Sequence, residues 1–390
     1  MTTGDEGEKD AMIVSKDRRM MCAVSFAFAS AACNGAMTTD GDASSNDAAT
    51  TDTVTAADVS LGDCASVTGY ASQVACATNA FLDTLSTTDR DTATYDFSDG
   101  ASRTRWSNLP TGMVARSGIK FETLNAASTS AALAMVRSAL SDEGYDDFTG
   151  VRAADAYLGS MQGGYGAGLY YIAVYGTPAA TGNWMLQVGG HHMAYNLTFV
   201  NGTLAPTPNH LGCEPKASFT FDGATYAPLA DDGAALFAVF GALDSTQLQT
   251  AYLTGQSFND ILLGPDEYGT GSLSAVSFPA QRTGVLVSSL SESQQALVTA
   301  AIAAWVREYP AEAADPLMAE YTSSSAYADT YLSWAGQSSG PDPDVSGSYL
   351  RIDGPRVWIE LAVQGGIVIR NATHYHTIYR DKAQQYGGTL

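Results

Sequence analysis

The sequence predicts an α+β fold, in which helices and antiparallel strands occupy separate stretches of the chain. Apolar residues recur at helical spacing in several segments, and other segments are rich in Tyr, Ile and Val. Short Gly- and Pro-containing turns join the strand-like segments. Such turns favour antiparallel pairing over the crossovers that a parallel sheet requires. We therefore expect an antiparallel sheet, or meander, packed with several helices.

Apolar residues three and four positions apart predict the helices. Ser291 with Gln294 forms a capping box at the start of the clearest one, and Pro310 ends it. Gly144 is interpreted as the stop that follows an earlier helix. The predicted helices cover residues 73–85, 128–140 and 291–309, with shorter ones near 244–253 and 311–334.

Two regions have the composition of strands. The first ends at Asn201-Gly202, a strong turn signal, and the second lies at the C-terminus. Turns at Asp353-Gly354-Pro355 and at Gly365-Gly366 divide the second region into a meander. The predicted strands cover residues 168–175, 184–200, 349–352, 357–363 and 367–379.

The charge balance excludes some classes of partner. The chain has 41 acidic and 19 basic side chains, which gives a formal net charge of -22. A polyanion repels nucleic acids and anionic lipid surfaces. We therefore expect no nucleic-acid partner, and the simplest role of the acidity is solubility.

The N-terminal part predicts export as a lipoprotein. A basic cluster precedes a short apolar run that ends Ser30-Ala31-Ala32-Cys33, which resembles a lipobox. Residues 1–32 are then a signal peptide, with Met12 as its true start, and 33–60 are a lipidated, disordered tether. Residues 61–390 are a single α+β domain. Cys33 would anchor the protein to a bilayer of the cell envelope, on the periplasmic or extracellular face; ordinary signal-peptide cleavage is the alternative.

Three cysteines lie in the predicted domain. Cys64 and Cys76 can close a short loop as a disulfide in an oxidising compartment. Cys213 is then unpaired, and we interpret it as a buried thiol rather than a metal ligand.

Four of the five histidines form two tight clusters, His191-His192 and His374-Tyr375-His376, inside predicted strands. Residues i and i+2 of a strand point to the same face, so His374 and His376 can share one metal ion. His191 and His192 would point to opposite faces, and the more polar alternate set contains His192. We expect His192 to bind the metal ion with His374 and His376. His191 would then either pack in the interior or contact the metal ligands without binding the metal itself. A structural role for both clusters is the alternative, and His210, in a Pro-rich segment, is interpreted as structural.

Three neutral imidazoles suit zinc or copper better than calcium or magnesium. Glu360 or Glu214 would act as general base, with Asp381 as another nearby carboxylate. Arg351 and Arg380 would orient an anionic group, although Arg380 and Asp381 can equally form a structural ion pair.

Several segments resemble a known family. Trp184-Met-Leu-Gln-Val-Gly-Gly-His-His-Met-Ala-Tyr-Asn196, Pro208 to Pro215, Tyr349-Leu-Arg-Ile-Asp-Gly-Pro355 and the segment from His374 to Asp381 follow the motifs of an uncharacterised bacterial family, DUF3500. The resemblance covers about residues 65–390. The family has no settled activity, so the resemblance implies a shared site built from these motifs but no reaction.

The sequence thus leads to two hypotheses from different classes. The first is an extracytoplasmic metal-dependent enzyme, a zinc hydrolase or lyase or a copper oxidase, acting on an unknown small molecule or polymer. The second is a non-catalytic binding lipoprotein, in which the histidines hold a structural or cargo metal, or none, and a Tyr-rich surface binds a polymer.

Overall fold

The computed structural model describes residues 60–265 and 277–390. The predicted signal peptide, Cys33 and almost all of the tether lie outside the described residues. In the described part the helices are α1 (Tyr70–Asp83), α2 (Thr87–Ala93), α3 (Gly100–Arg103), α4 (Ala126–Ala139), α5 (Asp142–Met161), α6 (Ala230–Gly241), α7 (Ser245–Ala251), α8 (Glu292–Val306), α9 (Ala311–Tyr321) and α10 (Ser324–Tyr327). The strands are β1 (Thr94–Tyr95), β2 (Ile119–Lys120), β3 (Tyr171–Tyr175), β4 (Asn183–Gly190), β5 (Met193–Val200), β6 (Thr203–Ala205), β7 (Asn209–Cys213), β8 (Phe219–Phe221), β9 (Ala224–Tyr226), β10 (Val285–Leu286), β11 (Tyr331–Ala335), β12 (Tyr349–Asp353), β13 (Val357–Gly365) and β14 (Thr373–Asp381).

Twelve of these strands form one open sheet in the order β1-β3-β4-β5-β7-β14-β13-β12-β11-β10, with β2 paired to β3 and β6 paired to β5. Its pairings are antiparallel except for β1 with β3. The remaining strands, β8 and β9, form a hairpin of their own. The α+β class predicted from the sequence is confirmed.

Strand β7 joins the two halves of the sheet. It pairs with β5, from the first strand-rich region, and with β14, from the C-terminal meander. In this arrangement Gly212 lies opposite His376. The short β7 therefore brings the two histidine-containing regions to the same part of the sheet.

The two faces of the sheet are covered differently. Tyr195 of β5 and Tyr379 of β14 belong to the large apolar core that includes Trp305 of α8, and we call this side the helix face. The alternate residues Ala194 and Ile378 belong to a smaller cluster. Connecting segments cover that cluster on what we call the loop face, with Trp106, Leu253, Ile261 and Leu263.

Several local predictions are confirmed. Ser291 caps α8 with the reciprocal bond from Gln294. Asn201 and Gly202 both adopt positive φ at the turn between β5 and β6. The disulfide joins Cys64 to Cys76, and Cys213 is a buried free thiol.

Other boundaries are wrong for identifiable reasons. Gly144 does not follow a helix but lies in the first turn of α5, which Ser141 caps. A Cβ at Gly144 would lie 2.2 Å from the Glu308 carbonyl oxygen, so close packing rather than helix termination requires glycine there. The end of the predicted helix 311–334 is strand β11, and residues 367–372 connect β13 to β14 rather than extending β14.

Among the described residues, no helix combines the length and the apolar character needed to cross a bilayer. The longest, α5, has 20 residues but carries charged side chains along much of its length. The sheet is therefore the main scaffold on which a functional site in this part of the chain can be built.

Candidate metal centre

Strand β14 places His374 and His376 on the loop face. Their neighbours alternate with them: Tyr375 packs in the core of the helix face, and Thr377 accepts a hydrogen bond from the indole of Trp305 at 3.3 Å. This is the side-chain alternation of a regular strand. The two imidazoles consequently lie on one surface, with ring centroids 4.9 Å apart.

His192 lies in a turn, so its predicted place in a regular strand is wrong. Strand β4 ends at Gly190 and β5 begins at Met193, which leaves His191 and His192 as the two-residue connection of a hairpin. His192 has φ 61°, the left-handed conformation that a tight turn requires and that non-glycine residues seldom adopt. The rings of His191 and His192 are stacked, with centroids 3.7 Å apart, rather than on opposite faces.

The turn is held by hydrogen bonds from both sides. The His192 amide donates to the Asn108 carbonyl at 3.2 Å, and the Gly212 amide donates to the His192 carbonyl at 2.8 Å. The Tyr170 hydroxyl donates to the His191 carbonyl at 2.7 Å. These bonds fix a residue whose backbone conformation is otherwise unfavourable.

The structure brings His192, His374 and His376 together, and we call these residues the histidine triad. Each offers a ring nitrogen within 4.8 Å of the others, and all three side chains are buried. The Nε2 atoms of His192 and His376 lie 3.0 Å apart. Two nitrogen ligands of one tetrahedral zinc lie about 3.3 Å apart, given Zn–N bonds of about 2.0–2.1 Å. The spacing of this pair is therefore close to that of two histidine ligands on one metal ion, and His374 completes the group within 4.8 Å.

Gly212 makes room for the triad, a requirement that the sequence analysis missed. A Cβ at this position would lie 2.7 Å from the Tyr375 carbonyl oxygen. It would also lie 3.1 Å from Cδ2 of His376 and 3.3 Å from Cδ2 of His192. Any larger residue at position 212 would push the imidazoles of His192 and His376 away from β7.

Three polar side chains surround Nδ1 of His376. The closest is the Asp260 carboxylate at 2.8 Å, followed by the Gln364 amide at 3.1 Å and the Asn108 amide at 3.4 Å. A carboxylate beside Nδ1 favours the tautomer with the proton on that nitrogen, which leaves the Nε2 lone pair directed at the triad. Asp260 was not predicted, because it lies 116 positions away in a loop with no recognisable pattern.

His191 binds a carboxylate of its own. Its Nδ1 lies 2.7 Å from Oδ1 of Asp155, and both side chains are buried. Asp155 Oδ2 also accepts the Gly166 amide at 3.0 Å, and the Tyr165 ring contacts His191 edge-on. The structure does not place a nitrogen of His191 in the group of ligand atoms formed by the triad. His191 instead stacks on the ligand candidate His192.

Burial keeps two members of the triad, His192 and His374, neutral. Desolvation, followed by repulsion from the neighbouring imidazoles, lowers the pKa of His192 well below its usual value. The same causes lower the pKa of His374 to about 3. Neutral imidazole is the form that binds a metal ion, so no proton has to leave these two rings at neutral pH.

Of the two predicted general bases, Glu360 is fully committed to structural bonds. Its two oxygens accept the amides of Leu262 and Leu263, the indole of Trp358 and the hydroxyl of Tyr349. Burial raises the pKa of Glu360 above its ordinary value. The hydrogen bonds from the amides of Leu262 and Leu263 hold the segment that carries Asp260. Glu360 therefore supports the site indirectly, through that segment.

The backbone register places Glu214 next to His374 along the two strands, because Cys213 pairs with Tyr375. Its Oε1 accepts the amides of Val368 at 2.8 Å and Ile369 at 2.7 Å, which anchors the β13–β14 connection. Burial, followed by the negative charges of Glu214 and Asp155, raises the pKa of Tyr165, so both carboxylates lie near that phenol.

The predicted arginines make hydrogen bonds to backbone carbonyls and to hydroxyl groups. Arg380 donates to the carbonyls of Leu263 at 3.2 Å and Gly264 at 2.6 Å, next to the segment that Glu360 holds. Arg351 donates to the hydroxyls of Thr283 at 3.2 Å and Ser333 at 3.4 Å, and its guanidinium lies over Trp358.

Asp381 does not serve the site. It lies on the helix face with Tyr379, and its carboxylate forms an ion pair with Arg356 at 2.5 Å and accepts the Tyr321 hydroxyl at 2.6 Å. The proposed ion pair of Arg380 with Asp381 is therefore wrong, because successive strand residues point to opposite faces.

His210 also belongs to this region, although it lies in a strand rather than in the loop expected from its Pro-rich segment. It lies on β7, paired with Ile378 of β14 and Ala194 of β5. Its ring contacts that of His376 edge-on, with centroids 5.6 Å apart. His210 lies outside the group whose ligand atoms fall within 4.8 Å of one another.

A second cluster, of three carboxyl groups, lies on the other side of the sheet. Asp147 of α5, Asp232 of α6 and Glu308 after α8 approach one another within 4.8 Å, and the Tyr195 hydroxyl donates to Glu308 at 2.8 Å. Burial raises the pKa of all three, and the negative charges of the other cluster members raise the pKa of Asp232 and Glu308 further. Nothing in the local sequence predicted their convergence.

Comparison with known proteins gives one match. A family profile described as "Protein of unknown function (DUF3500)" matches residues 68–388. No curated protein and no solved structure matches the chain. The matched range contains the triad, Asp155, Asp260 and both predicted general bases.

Proposed function

The chain belongs to the DUF3500 family of proteins of unknown function, and we propose that it is a metal-dependent enzyme whose histidine triad binds one zinc or copper ion. The observation that carries the proposal is the approach of His192, His374 and His376, each with a ring nitrogen within 4.8 Å of the others. Three imidazoles without a carboxylate among the ligands favour zinc or copper over calcium and magnesium.

The surroundings of the triad support this proposal. Catalytic metal sites commonly have three protein ligands and keep a further position open, and a carboxylate often binds the far nitrogen of a ligand histidine. Asp260 has that relation to His376. With zinc, the metal would supply a water that ionises near neutrality and hydrolysis or hydration would follow; with copper, an oxidation would.

Glu214 is the carboxylate that we propose as general base. It lies beside His374, whereas both oxygens of Glu360 are held by structural donors. Two backbone amides orient Oε1 of Glu214, so its position does not depend on side-chain flexibility. Arg380 and Glu360 would keep the Asp260 segment in place.

We further propose that the protein is exported and lipid-anchored through Cys33. The disulfide between Cys64 and Cys76 supports an oxidising compartment, since such bonds are rare in the cytosol. The mass of the mature protein from its host tests this. It should correspond to a chain that starts at Cys33 and carries acyl groups, and Cys33→Ala should abolish the acylation.

Metal analysis of purified protein tests the proposed centre. We expect about one zinc or copper per chain, lost in His376→Ala and retained in Tyr379→Phe, a control on the same strand but on the helix face. X-ray absorption then separates the two classes of function. Three histidine nitrogens with an additional exchangeable ligand agree with an enzyme, whereas a closed site of four protein ligands would indicate a binding protein. A metal-free protein that does not take up zinc or copper would refute the proposal.

A further inference from the structure

His210 is a buried imidazole whose ring nitrogens make no hydrogen bond of normal geometry, although the Thr377 backbone approaches the ring. Its side chain is 0% exposed, and neither Nδ1 nor Nε2 has a hydrogen-bond partner among the described residues. Leaving a buried polar group unpaired costs free energy, so native proteins almost always satisfy such groups with protein, water or a ligand. The proposed metal centre, formed by the triad, does not use this ring.

The position of His210 limits what could pair with it. Its ring lies edge-on to His376, with centroids 5.6 Å apart, and tilted against the indole of Trp106 at 5.9 Å. Its neighbours across the strands, Ala194 and Ile378, are apolar. The polar groups near its ring are those of His376 and His191, the Asp260 carboxylate and the Thr377 backbone.

His210 is close to the triad without belonging to it. The ligand nitrogens of His192, His374 and His376 lie within 4.8 Å of one another, and those of His210 fall outside that group. Because its nitrogens fall outside that group, His210 is not a further ligand of the same ion in the present geometry. Its ring nevertheless contacts that of His376, so a small molecule bound to the ion beside His376 would lie next to His210.

Charge indicates the chemical class of that molecule. Three neutral imidazoles contribute no negative charge to the ligand set, and the Asp260 carboxylate lies one ring away, so a divalent ion keeps a net positive charge that favours a negatively charged additional ligand. A neutral histidine carries one N–H group, which can donate to an anion. We propose that His210 donates a hydrogen bond to a small anionic ligand, such as a carboxylate group of the substrate, bound to the metal of the triad; this rests on the proposed metal centre.

Cobalt-substituted protein titrated with azide and with acetate tests the proposal, because cobalt absorption reports on ligand exchange at the metal. We expect His210→Phe, which keeps a ring but removes both nitrogens, to bind one cobalt per chain while its azide Kd rises at least about tenfold. His210→Gln keeps a donor and should fall between His210→Phe and wild type. Ile378→Val, a change in the neighbouring apolar side chain, should leave the azide Kd unchanged.

A measurement on the unaltered protein makes the test independent of how the variants fold. In zinc-loaded protein labelled with ¹⁵N-histidine, azide should shift the ring nitrogen resonances of His210. Unchanged His210 resonances, or equal azide Kd values for wild type and His210→Phe, would overturn the role of His210 alone. If His210→Phe fails to bind cobalt, His210 is itself a metal ligand, and its proposed role as a hydrogen-bond donor is also overturned. A wild-type protein that binds no cobalt would overturn the metal centre itself.

Discussion

The Nε2 atoms of His192 and His376 lie 3.0 Å apart, although 184 positions separate the two residues in the chain. Each ring is fixed independently: His192 by the hydrogen bonds of a tight turn, and His376 by its strand and by the carboxylate at its far nitrogen. The proposed metal ion would explain why these two buried ring nitrogens face one another at this distance. The predictions below test what holds these rings in place and what stabilises the protein around them.

Asp260→Asn should weaken metal binding without abolishing it. The substitution removes the negative charge beside Nδ1 of His376, so the ring loses its preferred tautomer and part of its basicity. We expect the Kd for zinc to rise by roughly 10–100-fold, measured by competition with a chromogenic chelator. Asp83→Asn, which alters an exposed carboxylate paired with Arg90, is the control. Equal affinities for the two variants would contradict the proposed role of Asp260.

Gly212→Ala should displace the triad. The new methyl group would lie 2.7 Å from the Tyr375 carbonyl oxygen and 3.1 Å from the ring of His376, so the strand or the rings must move. Overpacking of this kind costs about 1–3 kcal/mol of unfolding free energy, and we expect zinc affinity to fall with it. Gly163→Ala is the control, because a Cβ there has no atom within 4 Å. If Gly212→Ala keeps the stability and the metal affinity of wild type, the side chains around position 212 are less closely packed than the structure indicates.

The carboxyl cluster of Asp147, Asp232 and Glu308 should make the protein less stable as pH rises. Their pKa values are raised in the folded state, so the folded protein binds more protons than the unfolded chain. Their contribution is fully present below the unfolded pKa values of about 3.9–4.3 and is lost as pH rises through the raised folded values. Denaturant unfolding measured from pH 5 to pH 9 should show this decline.

Glu308→Gln should reduce that decline, because the amide keeps a hydrogen-bonding side chain without an ionisable group. We expect the variant to be more stable than wild type at the alkaline end of the range. Glu122→Gln, an exposed carboxylate paired with Lys120, should follow the wild-type curve. A pH dependence identical in Glu308→Gln and wild type would exclude the cluster as its cause.

Removal of the disulfide should destabilise the start of the domain. Cys64 and Cys76 are separated by 12 positions, and closing a loop of that size contributes about 3 kcal/mol in the chain-entropy description. The Cys64→Ser, Cys76→Ser double variant should therefore unfold at lower denaturant concentration. Dithiothreitol should shift wild type toward the variant and leave the variant unchanged. If the reductant has no effect on wild type, the bond contributes little to stability.

Local patterns accounted for the elements whose signals are local. Helix α8 was predicted from a capping box, and the turn after β5 from Asn201-Gly202, because these signals depend on residues a few positions apart. Helix α5 was missed, since its mean hydropathy is low and Gly144 was interpreted as a stop. Glycine is required at position 144 because the Glu308 backbone, from a distant part of the chain, leaves no room for a Cβ.

The sequence by itself determined that His374 and His376 share a face, because side chains alternate along any regular strand, and that Cys64 could reach Cys76. Only the tertiary structure decided that His192 occupies a turn, that Asp260 binds His376, and that His210 lies beside the triad. The order of strands in a sheet depends on packing between distant parts of the chain. Residues that meet through such packing carry no local pattern that would predict their contact. The same packing decided that Glu360 supports a loop while Glu214 lies beside His374.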